Sequence, residues 1–582
     1  MAQNMGRLVE EAGKVTAAYL KPIERGEAKT GQADEASEMV KVLGRVAERW
    51  ISDPRRIIEA QASITGDFLS LWSNTLKRLG GETTEPVIES EGRDPRFADP
   101  EWREHPVFDF VRQAYLLSSR WAETLVDKAE DLDPHTRDKA RFYVKQLAGA
   151  LSPSNFIATN PELLRETLAQ NGENLVRGMK MLAEDIEAGG GELKIRQSDA
   201  RAFEIGVNIA MTPGKVVFRN DLIELIQYAP ATETVLKRPL LIVPPWINKF
   251  YILDLNPEKS FIRWCVAQGL TVFCISWVNP DERHAAKDFE SYMREGIFAA
   301  LEAIEQACGE KKVSAIGYCV GGTLLGVTLA YMAATRDKRI DSATFFTTQV
   351  DFTHAGELSV FVDEDQIRAL EQQMSQRGYL DGSRMSGAFN MLRPNDLIWS
   401  YAVNNYLKGK APSAFDLLYW NSDSTRMPAA NHSFYLRNCY LDNTLSRGEM
   451  SLGGKRLDLG KVKIPIYNIA TREDHIAPAK SVFIGSQKFG GPVDYVLAGS
   501  GHIAGVVNPP YKVKYQYWTG PKPEGALEDW TAKAQEHPGS WWPHWFGWLE
   551  AQAPKRVAPR IPGAGGLPAL CDAPGTYVKV KA

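Results

Sequence analysis

The chain has 582 residues, of which 44% are hydrophobic and 24% charged, shares that exclude a disordered, collagen-like or coiled-coil chain. The length predicts two or more domains, because a domain usually spans about 100–200 residues. Lys and Arg number 68 against 72 Asp and Glu, which gives a net charge of −4, so no overall field favours binding to nucleic acid.

The N-terminal third of the chain has the patterning of helices. Residues 1–7 contain no apolar core of a secretion signal, and no segment of the chain approaches the roughly 18 apolar residues of a membrane span. Apolar residues recur at helical spacing around 57–72, 108–125 and 162–186. Three glycines at 189–191 then interrupt the pattern. We predict an all-helical N-terminal domain over residues 1–190.

From residue 191 onward the pattern changes to short apolar runs with helical segments between them. Runs bounded by turn residues predict buried strands, and they lie at 215–218, 222–226, 240–243, 271–275, 313–316, 343–346, 465–469 and 495–497. Helices are predicted at 288–307 and 322–334. This alternation predicts an α/β domain over 191–582 with a parallel sheet. Residues 353–463 interrupt the alternation and suit a cap or lid insertion.

A glycine-flanked cysteine follows one of these strands. The sequence Gly-Tyr-Cys-Val-Gly at 317–321 lies between strand 313–316 and helix 322–334, which is the nucleophile elbow of an α/β-hydrolase with cysteine in place of serine. The N–H groups at the helix start favour a thiolate and a developing oxyanion. The alternative is that Cys319 is a small buried hydrophobic residue. We predict that Cys319 is the nucleophile of an α/β-hydrolase catalytic domain.

The other five cysteines suggest no further chemistry. They lie without the C-x-x-C spacing of a zinc site and are too few for a disulfide framework. Reduced thiols, no metal and a cytoplasmic location are therefore expected. These five residues are Cys265, Cys274, Cys308, Cys439 and Cys571.

The base and its partner are predicted from chain order, which in these hydrolases runs nucleophile, acid, histidine. His502 lies on a glycine-flanked loop just after strand 495–497, where an imidazole can reach the elbow. Asp474 follows strand 465–469 and would orient His502. Asp351 is the alternative acid, because some hydrolases place the acid after the preceding strand. His475 is predicted to support the site by hydrogen bonding.

The oxyanion donors are expected to be backbone N–H groups. Val320, directly after the nucleophile, supplies one. The other should come from the loop after strand 240–243, where either Trp246 or Ile247 fits and the sequence does not decide between them.

A cysteine nucleophile also indicates the class of substrate. Exchange of an acyl group between two thiols costs little free energy, because one thioester replaces another, and the acyl-enzyme stays activated. A Cys-His-Asp set on this fold therefore suits an acyltransferase that accepts acyl thioesters such as acyl-CoA better than a peptidase.

Several motifs resemble those of polyhydroxyalkanoate synthases, and the resemblance runs from about residue 68 to the Trp-rich end of the chain. The motifs lie at 94–102, 244–254, 317–322, 419–428, 472–476 and 501–510. The single-chain length and these motifs resemble class I of the family. Trp246 departs from the pattern, since some members have a smaller residue there, and it is expected to narrow or reshape the entrance beside the oxyanion loop.

The resemblance implies an activity and its partners. It implies polymerisation of (R)-3-hydroxyacyl-CoA, such as 3-hydroxybutyryl-CoA, through a Cys319 thioester with release of CoA and without a cofactor. It also implies a homodimer attached to cytoplasmic polymer granules, with phasin-type granule proteins as further partners. The helical domain would serve dimer stability and granule association, and the cap would gate substrate entry.

Alternative interpretations remain open from the sequence. The same triad would serve a thioesterase or lactone hydrolase with water as acceptor. A catalytically silent granule-surface protein is the alternative from another class. Trp420 fits either a tunnel wall or the core, and the aromatic segment 541–548 fits either a surface anchor or a closing helix.

Overall fold

The computed structural model describes residues 2–24, 31–52, 54–90, 92 and 94–582. The predicted helical domain thus includes residues 1, 25–30, 53, 91 and 93, which lie outside the described part. The chain divides into two units. The first is Met1–Asp199 with Phe389–Ser413, and the second is Ala200–Ala388 with Ala414–Ala582.

The first unit is built from helices, as predicted. Three of them begin with a capping side chain, from His105, Asp133 or Asn160, followed by proline, a favourable start because proline has no N–H to leave unpaired. Asp133 accepts from Thr136 N, and Asn160 accepts from Leu163 N. The helices are Ala2–Glu24, Gly31–Ile51, Pro54–Leu79, Glu101–Glu104, Pro106–Asp127, Pro134–Ala150, Pro161–Ala169 and Glu173–Ala188, with π-helical turns at Asn395–Trp399 and Ala402–Leu407.

The predicted helix over 162–186 is two helices in the structure. The first ends at Ala169 and the second begins at Glu173. Gly172 lies between them with φ of 80°, a left-handed conformation that glycine adopts at little cost. The helical spacing continues through this break, which is why periodicity alone does not reveal it.

The boundary of the first unit differs from the predicted position at residue 190. The helix ends at Ala188 before the glycine run, but Arg196 Nε donates to Asp185 Oδ1 at 2.6 Å and so ties the following segment back. Tyr406, from the region predicted as cap, donates its hydroxyl to Asp185 Oδ2 at 2.6 Å. A Cβ on Gly178 would lie 1.8 Å from Tyr406 O, so a side chain there would prevent this contact.

The second unit is built on one mixed sheet of eleven strands. In chain order the strands are β1 (Gly214–Arg219), β2 (Ile223–Tyr228), β3 (Leu240–Val243), β4 (Val272–Trp277), β5 (Val313–Tyr318), β6 (Ile340–Phe346), β7 (Ile466–Thr471), β8 (Val493–Ala498), β9 (Gln516–Thr519), β10 (Gln535–Pro538) and β11 (Cys571–Asp572).

The strand order in the sheet is β10-β9-β8-β7-β6-β5-β3-β4-β2-β1-β11. The six strands from β8 to β4 are parallel, and the outer pairs are antiparallel. Each of the eight predicted strands coincides with one of these. The carboxyl ends of parallel strands lie at one edge of a sheet, where ligands bind in open α/β folds. The loops after β3, β5, β7 and β8 therefore share one edge.

Helices connect the strands of the second unit. The predicted helix 288–307 runs from Phe289 to Cys308, with a π-helical segment at Tyr292–Phe298. The one predicted at 322–334 is Val320–Thr335, here termed the elbow helix. The remaining helices outside the insertion are Phe261–Ala267, Ala479–Ser486, Leu527–Thr531 and Trp542–Gln552.

The predicted cap region lies between β6 and β7. It is mixed, with short helices and π-helical turns rather than one regular layer. Its helices are Glu364–Arg377, Gly382–Leu392, Asp416–Ser422 and Ala429–Tyr435, and the last continues as the π-helical turn Leu436–Leu441.

The aromatic segment near residue 545 is a closing helix. Trp541, Trp542 and Trp545 are buried, and Trp545 Nε1 donates to Thr344 Oγ1 on β6 at 2.9 Å. Among the described residues, no helix combines the length and the apolar character needed to cross a bilayer.

Candidate active site

Cys319 lies in the turn between β5 and the elbow helix. Its backbone has φ of 52° and ψ of −125°, a conformation that costs a non-glycine residue on the order of 1–3 kcal/mol and is concentrated at functional sites. The turn has the geometry expected of a nucleophile elbow. Val320 is the first helical residue, and N–H groups of a first helical turn have no partner within the helix.

Two glycines allow the elbow to pack closely. A Cβ on Gly321 would lie 2.4 Å from Pro244 O, and one on Gly322 would lie 1.9 Å from Thr348 Oγ1. Both positions exclude any side chain without movement of their neighbours. The contact of Gly321 with Pro244 also brings the start of the elbow helix against the loop that follows β3.

The structure brings His502 and Asp474, the predicted base and acid, together as a hydrogen-bonded pair. His502 Nδ1 lies 2.7 Å from Asp474 Oδ2, and both residues are buried. The other carboxylate oxygen, Oδ1, accepts from Ile476 N and Ala477 N at 2.8 Å each. Thr471 Oγ1, at the end of β7, lies 3.1 Å from Oδ2. These contacts fix the carboxylate so that it orients the ring.

The pKa of His502 reflects the charged groups on both sides of its ring. Burial lowers the pKa of His502, but the negative charges of Asp474 and Cys319, with hydrogen bonds to both side chains, outweigh burial and raise it to about 10. The thiol, the ring and the carboxylate are thus coupled in one site.

Tyr318 is a further support for the histidine that the sequence did not indicate. Its ring stacks on His502 at a centroid distance of 5.7 Å and an angle of 24°, and its hydroxyl donates to His502 O at 3.1 Å. Tyr318 directly precedes Cys319, so the elbow itself holds the loop that carries His502.

Asp351, the alternative acid, has other partners. Its carboxylate accepts from Thr353 N at 2.9 Å and from the Ser446 hydroxyl, and Lys488 Nζ lies 3.6 Å away. Burial by itself raises the pKa of Asp351, but the hydrogen bonds from Ser446 and Thr353 hold it below its usual range. The geometry favours Asp474 as the acid of the site.

His475 lies in the same turn as Asp474 and is half-buried. Its carbonyl oxygen would be 2.8 Å from a Cβ placed on Gly356, so its backbone lies against that loop. Its role as a supporting hydrogen-bonding residue stays a prediction.

The loop after β3 is held by contacts on both sides. Trp246 is buried, and its ring packs against those of Trp277, Tyr292 and Tyr435 at centroid distances of 6.0, 4.9 and 6.5 Å. The ring is therefore part of a packed aromatic cluster. The carbonyl oxygens of Trp246 and Ile247 both accept from the hydroxyl of Thr425.

Two tyrosines from the cap lie near the nucleophile. Burial first, and then neighbouring charges that include Cys319, raise the pKa of Tyr435 and of Tyr440. Their rings contact edge to face at 5.5 Å. Tyr435 ends the helix Ala429–Tyr435 and Tyr440 lies in the π-helical turn that follows, and no sequence signal marks either residue.

Trp420 belongs to the core rather than to an open channel. It is buried, and its Nε1 donates to Lys249 O at 2.7 Å. The indole therefore connects the cap segment to the loop after β3.

Three of the other cysteines are buried, unlike Cys319. All six cysteines are free, and Cys319 is partly exposed. Burial raises the pKa of Cys265, Cys274 and Cys439, which keeps them in the unreactive thiol form. Within the described ranges, His, Cys, Asp and Glu side chains form no group of three or more that could hold a metal ion.

Known proteins resemble the chain over its whole length. The family model described as "Poly-beta-hydroxybutyrate polymerase (PhaC) N-terminus" matches residues 93–265, and the one described as "alpha/beta hydrolase fold" matches residues 239–509. A poly(3-hydroxyalkanoate) polymerase of Methylorubrum extorquens is 64% identical, covering 100% of this chain and 98% of the relative.

Two further relatives are named poly(3-hydroxyalkanoate) polymerase subunit PhaC. The one from Rhizobium meliloti is 64% identical, covering 100% of this chain and 95% of the relative. The one from Cupriavidus necator is 41% identical, covering 91% of this chain and 89% of the relative. The α/β-hydrolase fold predicted from the sequence is confirmed, and the chain belongs to the poly(3-hydroxyalkanoate) polymerase family.

Proposed function

We propose that the protein polymerises (R)-3-hydroxyacyl-CoA, with 3-hydroxybutyryl-CoA as the favoured substrate, through a thioester on Cys319. The proposal rests on the coupled set of Cys319, His502 and Asp474. His502 Nδ1 lies 2.7 Å from Asp474 Oδ2, and Cys319 lies in a strained elbow. The set suits an acyltransferase, because a thiol accepts an acyl group from a CoA thioester at little cost.

The first half-reaction acylates the enzyme. His502 accepts the proton of the Cys319 thiol, and the thiolate attacks the carbonyl carbon of the CoA thioester. The oxyanion that forms accepts hydrogen bonds from Val320 N–H and from a second amide in the loop after β3, either Trp246 or Ile247. The C–S bond to CoA then breaks, the imidazolium returns its proton to the CoA thiolate, and the acyl group remains on Cys319.

The second half-reaction extends the chain. A further hydroxyacyl-CoA enters, and its 3-hydroxyl oxygen attacks the acyl carbon on Cys319 while neutral His502 accepts the hydroxyl proton. An ester bond forms, the bond to sulfur breaks, and the thiolate pairs with the imidazolium again. The longer chain is now attached to CoA and can acylate Cys319 in the next cycle, so each cycle releases one CoA. Asp474 stabilises the imidazolium in both halves, and the chemistry needs no cofactor.

We also propose the wider setting that family membership supports, a class I enzyme that acts as a homodimer at the surface of a cytoplasmic granule. The helix Pro54–Leu79 provides a physical reason for surface attachment, because four of its large apolar side chains are exposed at spacings of three or four residues, which places them on one face. They are Leu69, Trp72, Leu76 and Leu79. Phasin-type proteins would share that granule surface.

The products of one reaction test the proposal. Incubation with (R)-3-hydroxybutyryl-CoA should release CoA thiol and give a turbid suspension of polyester. Thiol release with soluble 3-hydroxybutyrate alone would instead indicate a thioesterase, and would contradict the polymerase proposal. Release of no thiol would contradict both and favour a silent granule-surface protein.

A further inference from the structure

The loop after β3 is bound along its length by a short segment of the cap, Asp423–Thr425, here termed the clamp. Asn248 and Ser424 form an antiparallel bridge. Thr425 N donates to Ile247 O at 3.3 Å. Thr425 is only 3% exposed, so these contacts are shielded from water. Buried backbone contacts therefore join the clamp to the loop.

A buried ion pair anchors the clamp at its other end. Lys249 Nζ lies 2.7 Å from Asp423 Oδ1, and the two side chains are only 4% and 2% exposed. Tyr251 donates its hydroxyl to Asp423 Oδ2 at 2.8 Å, and Lys249 also donates to Val580 O at 2.9 Å. Lys581 Nζ also lies 3.1 Å from Asp423 Oδ1, so two cations and a hydroxyl hold this buried carboxylate, and such a buried, paired charge is costly to disrupt.

The hydroxyl of Thr425 contacts two successive carbonyl oxygens of the loop. It donates to Ile247 O at 2.7 Å and lies still closer to Trp246 O. A hydroxyl has a single proton, which the two carbonyls therefore share. Because a trans peptide is planar, its C=O and N–H point in opposite directions. Holding Trp246 O thus fixes the direction of Ile247 N–H, which belongs to the same peptide.

We propose that Thr425 is a positioning residue for the oxyanion site, and that it selects Ile247 N–H as the second donor while the Lys249–Asp423 pair anchors the clamp. This inference rests on the proposed acyl-transfer function. The inference goes beyond that function because it assigns the second oxyanion donor, which the sequence left undecided. It also makes the cap a part of the catalytic geometry. The clamp contacts the loop through Trp246 O, Ile247 O and Asn248, and these contacts leave the Pro245–Trp246 peptide, which carries Trp246 N–H, without such a constraint.

The test replaces Thr425 in two ways. Thr425→Val keeps the shape but removes the shared proton, whereas Thr425→Ser keeps the proton. We expect Thr425→Val to lower kcat for CoA release by about 10- to 100-fold, since loss of a complete oxyanion donor costs about 10²- to 10³-fold. KM should change by less than about 3-fold, because the contact acts in the transition state. Thr425→Ser should stay within about 3-fold of the parent protein in both constants.

A second reaction separates positioning from general damage. Alkylation of Cys319 by iodoacetamide needs the thiolate and His502 but develops no oxyanion, so its rate should be unchanged in Thr425→Val. Thr328→Val is a matched control, because Thr328 is buried and donates its hydroxyl to Leu324 O at 2.7 Å within the elbow helix. It should keep the parent kcat.

The outcomes distinguish the two proposals. A Thr425→Val protein with the parent kcat, or one whose alkylation slows as much as its CoA release, would overturn the positioning role. A kcat loss in Thr425→Ser equal to that in Thr425→Val would also overturn it. If the parent protein released no CoA but still showed rapid alkylation of Cys319, the acyl-transfer function would fail instead.

Discussion

Replacing Cys319 by alanine should abolish release of CoA from 3-hydroxybutyryl-CoA, with a loss of about 10⁴-fold or more. The thiolate is the only group in the proposed reaction that forms a bond to the acyl carbon in the first step. Without it, His502 and Asp474 have no nucleophile to activate. The loss should appear in kcat and can be measured by following free thiol with a chromogenic disulfide.

A matched control uses another partly exposed cysteine. Cys308 donates its thiol to Ile304 O at 3.1 Å on a helix of the same unit, and Cys308→Ala should keep the parent rate. Substantial thiol release by the Cys319→Ala protein would show that another residue accepts the acyl group. Loss of activity in both variants would point to a folding effect rather than to a nucleophile.

Replacing Asp474 by asparagine should slow acylation by about 10²- to 10⁴-fold and shift its pH dependence. In the parent protein the pKa of His502 is raised to about 10, so the ring keeps its proton at neutral pH and loses it as the pH rises through about 10. Acylation needs that proton for the departing CoA thiolate, and its rate should therefore fall on the alkaline side near pH 10. Asp474→Asn removes the negative charge that raises the pKa of His502 and leaves the effect of burial, which lowers it. The decrease in the acylation rate should therefore move to lower pH.

The pH profile is best measured as single-turnover CoA release, corrected for hydrolysis without enzyme. Asp351→Asn is the control, because Asp351 is a buried carboxylate held by Ser446 and Thr353 in the same unit. The rate of Asp351→Asn should decrease at the same alkaline pH as that of the parent protein. The assignment of the acid would be contradicted if the rate of Asp474→Asn decreased at the same alkaline pH as that of the parent protein. It would also be contradicted if Asp351→Asn showed the shift instead.

The sequence could predict the elements that local pattern defines. A buried strand, a glycine-flanked cysteine and a helix are contiguous, so the elbow could be recognised without knowledge of the tertiary structure. The His502–Asp474 pair could be predicted because both residues follow strands whose carboxyl ends share one edge of a parallel sheet. Most of the eight apolar runs likewise marked strands because the central strands are buried on both faces, whereas β1 near the sheet edge is only partly buried.

Other features depend on contacts between distant parts of the chain. Thr425 contacts Trp246 although the two residues are 179 positions apart in the sequence. The cap that contains Thr425 has irregular and π-helical turns without a regular hydrophobic period. Tyr435 and Tyr440 lie near Cys319 for the same reason. The first unit extends to residue 199 because contacts such as Arg196 to Asp185 and Gln197 to Leu397 O hold this segment, and composition cannot indicate them.

The most direct measurement is the identity of the residue that carries the acyl group. The protein is mixed with one equivalent of (R)-3-hydroxybutyryl-CoA, quenched in acid within a single turnover, digested, and its peptides are weighed by mass spectrometry. We predict a 3-hydroxybutyryl group on Cys319, removable by hydroxylamine as expected of a thioester. CoA release without any such adduct on Cys319 at all quench times, or an acyl group on a different residue, would contradict the account.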